Sequence, residues 1–250
     1  MKQNTKKAGF FNFHQSNVLS ERYFDVFLGD FTNLFFLIFQ PIAVAFFAGM
    51  IWQGGQSTAT LYFVMIFSCI FFGCLNSCRE IVKEKAIFQR ERLVGLEIMP
   101  YILSKIWVLS AMGLGQTLLF YFGMRYFLVF EGNMILMFLL LYLSLLSGTM
   151  LGLFISAFVS TDVMALALVP VFLIPQLLFS KLVMPNRSLS GAVAWMEKAT
   201  LVKWSYQSME QIVASSLDWT LFVQGIIALT LMGLAYVVLS ALILKFKEAF

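Results

Sequence analysis

Charged side chains are missing from five long stretches of the chain. Residues 31–78, 106–124, 132–161, 163–180 and 219–244 contain no Asp, Glu, Lys or Arg, and together they cover more than half of the 250 residues. A helix that crosses a bilayer needs roughly 20 mostly apolar residues, so the first stretch is long enough for two crossings. Gly54–Gly55 divides it, Glu131–Gly132 separates the third and fourth crossings, and Ser160–Thr161–Asp162 separates the fourth and fifth. The pattern predicts an all-α polytopic membrane protein with six transmembrane helices, at 34–52, 60–78, 106–129, 134–158, 163–184 and 221–244. A transmembrane barrel would alternate apolar with polar positions instead.

The polar segments between these spans have patterns of their own. Residues 1–30 carry no apolar core of a signal peptide; residues 1–33 read as a tail followed by an amphipathic surface helix. Its apolar residues are Val18, Tyr23, Phe24, Phe27, Leu28 and Phe31, at three- and four-residue spacings, with Ser20 as the expected N-cap. Residues 34–250 form the six-helix domain. Within it, residues 79–105 hold ten charged residues interleaved with Ile81, Val82, Ala86, Phe88, Leu93, Val94, Leu96 and Ile98, which predicts a charged amphipathic helix. The 185–220 loop carries Trp195, Trp204, Tyr206 and Trp219. Such aromatics suit the headgroup level, so this loop is expected to be re-entrant, folding back into the interface before the sixth span.

Composition sharpens the class. Hydrophobic residues make up 60% and charged residues 12%, against roughly 25% charged in a soluble domain. Soluble enzymes, coiled coils, disordered chains and disulfide scaffolds are excluded. With the N-terminus placed in the cytoplasm, 12 of the 17 Lys and Arg fall on the inside and 5 on the outside. Both termini are therefore expected to be cytoplasmic. Topology accounts for the net charge of +4, and nucleic acid need not be invoked. Cys69, Cys74 and Cys78 lie in one apolar run and His14, the only histidine, lies in the tail. They supply neither a metal set nor a general base.

The span interiors lack Asp, Glu, Lys and Arg, which argues against ion-coupled transport and against an ion channel. Gln40, Asn76, Gln116, Thr117, Ser144, Ser147, Thr149 and Gln176 lie deep, as helix–helix hydrogen-bonding groups or as ligand contacts. Ser144, Gly148, Gly152 and Ser156 recur every four residues, a small-residue face for packing within the chain or against a second copy. Pro170 and Pro175 interrupt the fifth span, through packing or beside a cavity. Phe63, Phe67 and Phe71 share one face of the second span, toward lipid or toward an apolar cavity.

The segment Glu84-Lys-Ala-Ile-Phe88-Gln-Arg90-Glu91, followed by Gly95, Tyr101 and Lys105, resembles the stretch after the second helix in permeases of G-subfamily-like ABC exporters, those of the type V exporter fold. The run Ser147-Gly148…Leu151-Gly152-Leu153…Ser156-Ala157 is similar to that family's fourth helix, and the resemblance extends over about residues 20–248. It implies a coupling helix seated on an ATPase, with Glu84, Phe88, Arg90, Glu91 and Arg92 at the contact and Arg22 and Asp25 nearby. It also implies a path between two permease copies, lined by the second and fifth helices. That would bring Phe63, Phe67, Phe71, Asn76, Pro175 and Gln176 to the substrate.

Many relatives fuse an ATPase ahead of the helices. This sequence starts about 30 residues before the first span and has no Gly-Lys dipeptide, hence no P-loop. No cofactor is expected in this chain; ATP and Mg are expected on a separate ATP-binding-cassette subunit. A second permease copy, or a similar permease, is expected to complete the path in a plasma or inner membrane. The alternative is a self-contained facilitator or channel, which would show an inverted repeat or a buried polar pathway. A lipid-modifying enzyme would need acid, histidine or serine constellations, and Glu197, Glu210 and Asp218 have no evident partners. Asn186-Arg187-Ser188 serves only as a topology check.

Overall fold

The structure, a computed structural model, describes residues 13–52, 58–180, 191–214 and 217–247. Among these residues there are ten helices and no strand: α1 (Phe13–Gly29), α2 (Phe31–Trp52), α3 (Ala59–Ser77), α4 (Lys85–Leu93), α5 (Ile98–Phe127), α6 (Met134–Phe158), α7 (Asp162–Leu178), α8 (Ala192–Lys198), α9 (Leu201–Val213) and α10 (Trp219–Lys247). Five of them, α2, α3, α5, α6 and α10, are long and apolar enough to cross a membrane.

The expected 163–184 span is represented by α7, which has 17 residues, fewer than the roughly 20 a straight crossing needs. The helix stops at Leu178, where the Phe179 N–H bonds back to the Pro175 carbonyl. Residues 181–184 of that span lie outside the described residues.

Local chemistry sets the helix ends. Thr58, Asn133 and Thr161 each accept hydrogen bonds from backbone N–H groups in the first turns of α3, α6 and α7, satisfying donors that a helix start leaves open. Asp30 does the same for α2, accepting from Asn33 N at 3.1 Å. The expected N-cap at Ser20 is corrected. α1 already runs from Phe13, and the Ser20 hydroxyl donates to the Ser16 carbonyl inside the helix at 2.8 Å. The buried row Ser16, Leu19, Tyr23, Phe27 explains the earlier start, since it continues the apolar face one turn before Ser20.

The 79–105 segment is likewise not one helix. Turns lead into the short α4, Gly95 at φ +100° ends it, and Ile98 opens α5. Positive φ is cheap only for glycine, so Gly95 works as the stop signal just past the helix. Pro100 then falls in the first turn of α5, where its missing N–H leaves no helix bond unmade.

α3 and α6 form the centre of the bundle, with α10, α5 and α2 packed around them. A main core runs through α3, the C-terminal part of α5, most of α6, and α9. A second core joins α1, α4, the start of α5 and the ends of α6 and α10. The segment expected to be re-entrant forms α8 and α9. Leu201, Val202, Tyr206, Met209 and Ile212 of α9 are buried, and the helix lies against α3, α6 and α10. Ser205 meets Ser144 at 3.0 Å and Ser208 donates to the Phe222 carbonyl at 3.2 Å.

Candidate functional site

Glu80, Glu84 and Lys105 occupy the second core, where charges are costly unless paired. Lys105 is 1% exposed and Glu80 is 5% exposed. The Lys105 ammonium lies 2.8 Å from Glu84 Oε2. It also sits 3.9 Å from the centre of the Tyr23 ring and 5.2 Å from that of Tyr101, within cation–π range. Tyr101 donates to Glu84 at 3.3 Å, and Tyr23 donates to Glu80 at 2.6 Å. Burial, with Glu80 beside it, pushes the Tyr23 phenol well above its ordinary pKa, so it stays protonated as a donor. Lys83 closes the outer side, 3.2 Å from Glu80 and 3.6 Å from Asp30.

These contacts tie three elements together. Tyr23 comes from α1, Glu80 and Glu84 from the turns after α3, and Lys105 and Tyr101 from α5. A fourth element is added by Phe88 of α4, buried with its ring 4.6 Å from that of Tyr101. Gln15 of α1 accepts from Glu97 N at 3.2 Å and donates to the Gly95 carbonyl at 3.4 Å. Arg22 forms a two-point hydrogen-bonded ion pair with Glu91.

The expected coupling residues thus divide. Glu84 and Phe88 face inward, while Arg22 and Glu91 bridge α1 to α4. Arg90 is exposed, donating to its own helix at Ala86, and Arg92 donates to the Leu96 carbonyl. Asp25 is exposed on α1. Beyond them Leu93 and Val94 are 88% and 86% exposed, an apolar tip just after the two arginines.

The Ser144, Gly148, Gly152, Ser156 row lies buried against α3. A Cβ at Gly148 would stand 2.2 Å from the Ile70 carbonyl oxygen, and one at Gly152 would stand 2.1 Å from Ser77 Oγ and 2.4 Å from the Cys74 carbonyl oxygen. The two backbones touch, and this face is occupied within the chain. Ser77 donates across to the Thr149 carbonyl at 2.8 Å. At the end of the row Ser156 Oγ accepts from Ile81 N at 2.9 Å and Val82 N at 3.0 Å, pinning the turn that carries Glu80 and Glu84. The Lys247 ammonium of α10 caps the end of α6, donating to the Ala157, Phe158 and Val159 carbonyls. Ser156→Ala leaves two buried N–H groups unpaired and is expected to cost about 2–4 kcal/mol, read as a lower thermal midpoint; an unchanged midpoint would contradict this role.

The expected path residues are not one cluster. Phe63, Phe67 and Phe71 form a stack along α3, with centroids 6.2 and 6.5 Å apart, and Phe63 meets Tyr206 of α9 edge-on. Asn76 belongs to a polar string across three helices, 2.6 Å from Gln116 of α5, which lies 3.4 Å from Gln40 of α2. Pro175 is exposed on α7. Gln176 is buried and caps α9, accepting from Leu201 N at 3.2 Å.

Sequence reasoning passed over Tyr23, Glu80 and Lys105 as site residues. Two signals were present: Tyr23 falls in the apolar row of α1, and Lys105 is the last charge before the apolar run 106–124.

No curated protein matches the chain. The family model described as ABC-2 type transporter matches residues 14–214, which takes in α1, the α4 junction and the small-residue row of α6. With most of its length inside that match and its apolar helices long enough to cross a membrane, the chain belongs to the ABC-2 type transporter family, as an integral membrane permease subunit.

Proposed function

We propose that this chain is the membrane-spanning subunit of an ATP-driven exporter, moving an apolar or amphipathic molecule such as a lipid, glycolipid, drug or peptide-like compound outward. ATP and Mg act on a separate ATPase subunit. That subunit docks on α1, α4 and the turns between α3 and α4, at the cytoplasmic end, where both termini lie. A second copy of the chain, or a similar permease, completes the path in a plasma or inner membrane. Six crossings, with α7 as the fifth, put α4 inside and α8–α9 outside.

The observation that carries this reading is the exposed Leu93–Val94 tip. It follows Arg90 and Arg92 directly and sits on a segment whose inner side is locked to α1 and α5. A partner that grips the tip moves a lever fixed at both ends, because the network leaves the segment little freedom of its own. The phenylalanine stack supplies an apolar wall on α3, and Asn76, on the same helix, a polar point beside α5; small-molecule sites are mainly apolar with few polar groups.

Reversing both charges, Arg90→Glu with Glu91→Arg, is expected to lower co-purification of the ATPase subunit by about ten-fold, a change near 1.4 kcal/mol in binding. Wild-type recovery with wild-type transport would count against the docking role. Transport by the purified chain alone in liposomes would favour a facilitator instead.

A further inference from the structure

An open cleft of about 260 Å³ lies where the α1–α2 elbow, the end of α3 and the start of α7 come together. At about 30 Å³ per water it has room for roughly eight waters, the scale of a headgroup and well short of a whole lipid. Its polar wall is Asn33, Gln40, Asn76 and Arg79. The wall is rich in donors. Arg79 donates to Asn33 Oδ1 at 3.1 Å, and arginine can only donate, so the Asn33 NH2 is turned away from it. No carboxylate pairs with Arg79 among the described residues; the nearby Glu80 is taken by Tyr23 and Lys83, and Asp30 by Lys83 and the α2 start. The string Asn76–Gln116–Gln40 consists of three amides, and such a string leaves an NH2 group free at one end whichever way it runs.

The other walls are apolar. Phe27 and Leu75 floor the cleft, and Phe36 of α2 stands at its mouth. Phe39, three residues on, is Phe36's neighbour on the helix surface and stacks with Phe35 at 5.4 Å. These two lead into a wholly apolar groove along α2, between Phe31 and Ile42, of about 420 Å³.

We infer that this cleft binds the phosphate headgroup of an anionic lipid-like amphiphile from the cytoplasmic leaflet, with Arg79, Asn33 and the Gln40–Asn76 amides on the phosphate and the tail laid along α2. The inference rests on the orientation proposed above and names the substrate class for that reading. A guanidinium without a carboxylate partner and with neighbouring amide donors matches phosphate oxygens, and the groove beside it matches a chain that stays in the membrane.

Native mass spectrometry of the full-length chain, offered phosphatidylglycerol and phosphatidylcholine together, tests this directly. The wild type is expected to retain phosphatidylglycerol about ten-fold better, Arg79→Gln to lose that preference and Arg79→Lys to keep part of it. Excess inorganic phosphate is expected to leave the lipid in place. Equal retention of the two lipids, an unchanged preference in Arg79→Gln, or displacement by phosphate alone would overturn the inference. Should Arg79→Gln not fold, photocrosslinking of headgroup-labelled phosphatidylglycerol to the wild type decides instead. Label on Phe36, Gln40 or Leu75 is expected, and label confined to other sites would overturn it. ATPase co-purification, scored separately, tests the transporter reading, and its failure would leave the lipid result standing.

Discussion

Lys105→Met is expected to destabilise the chain by about 3 kcal/mol, the low end for removing one partner of a buried ion pair, and to abolish recovery of the ATPase subunit. The loss leaves the largely buried Glu84 carboxylate without its ammonium partner, hydrogen-bonded to the Tyr101 hydroxyl at 3.3 Å. It also removes the cation from between the Tyr23 and Tyr101 rings, which weakens the tie of α1 to α5. In detergent this reads as a thermal midpoint lower by on the order of 10 °C. The double variant Glu84→Gln, Lys105→Met separates stability from coupling. Without a stranded charge it is expected to recover most of the midpoint while ATPase recovery stays low. Full recovery of both would mean that the pair is only structural; an unchanged midpoint in Lys105→Met would contradict the burial argument.

The second large effect is at the α3–α6 seam. Gly152→Leu places a Cβ 2.1 Å from Ser77 Oγ and 2.4 Å from the Cys74 carbonyl oxygen, and backbone cannot yield as a flexible side chain can. The helices must part by more than an ångström along a face that also carries the Ser77–Thr149 and Ser156–Ile81 bonds. Close small-residue contact drives helix association in lipid, because burying apolar surface there gains little. Expression without a folded, monodisperse species is the expected result. Gly115→Leu, at a glycine with nothing within 4 Å of its built Cβ, is the matched control and is expected to fold. Normal folding of Gly152→Leu would contradict the seam.

The spans were readable because absence of charge is a strong, additive signal over 20 residues; α2, α3, α6 and α10 start within three residues of expectation. α5 starts eight residues before the expected 106, since Ile98 to Lys105 carry helix periodicity along with charge. Lys105 also shows why the site was only half legible. Its charge reads as a loop residue, yet burial between two tyrosine rings depends on α1 folding back onto α5, a contact with no trace in local periodicity. The four-residue row in α6 revealed a close-packing face, but only three dimensions show that α3 fills it. Gln176 was a path candidate because the resemblance lines the path with the fifth helix, where it lies deep; its placement as the cap of α9 depends on a helix 25 residues away in sequence.

The most direct test of the account is a photocrosslinker at Val94 in native membranes, with the captured partner identified by mass spectrometry. The account predicts an ATP-binding-cassette ATPase subunit captured there, with capture reduced in Lys105→Met. Capture of lipid alone, with no ATPase, would contradict it.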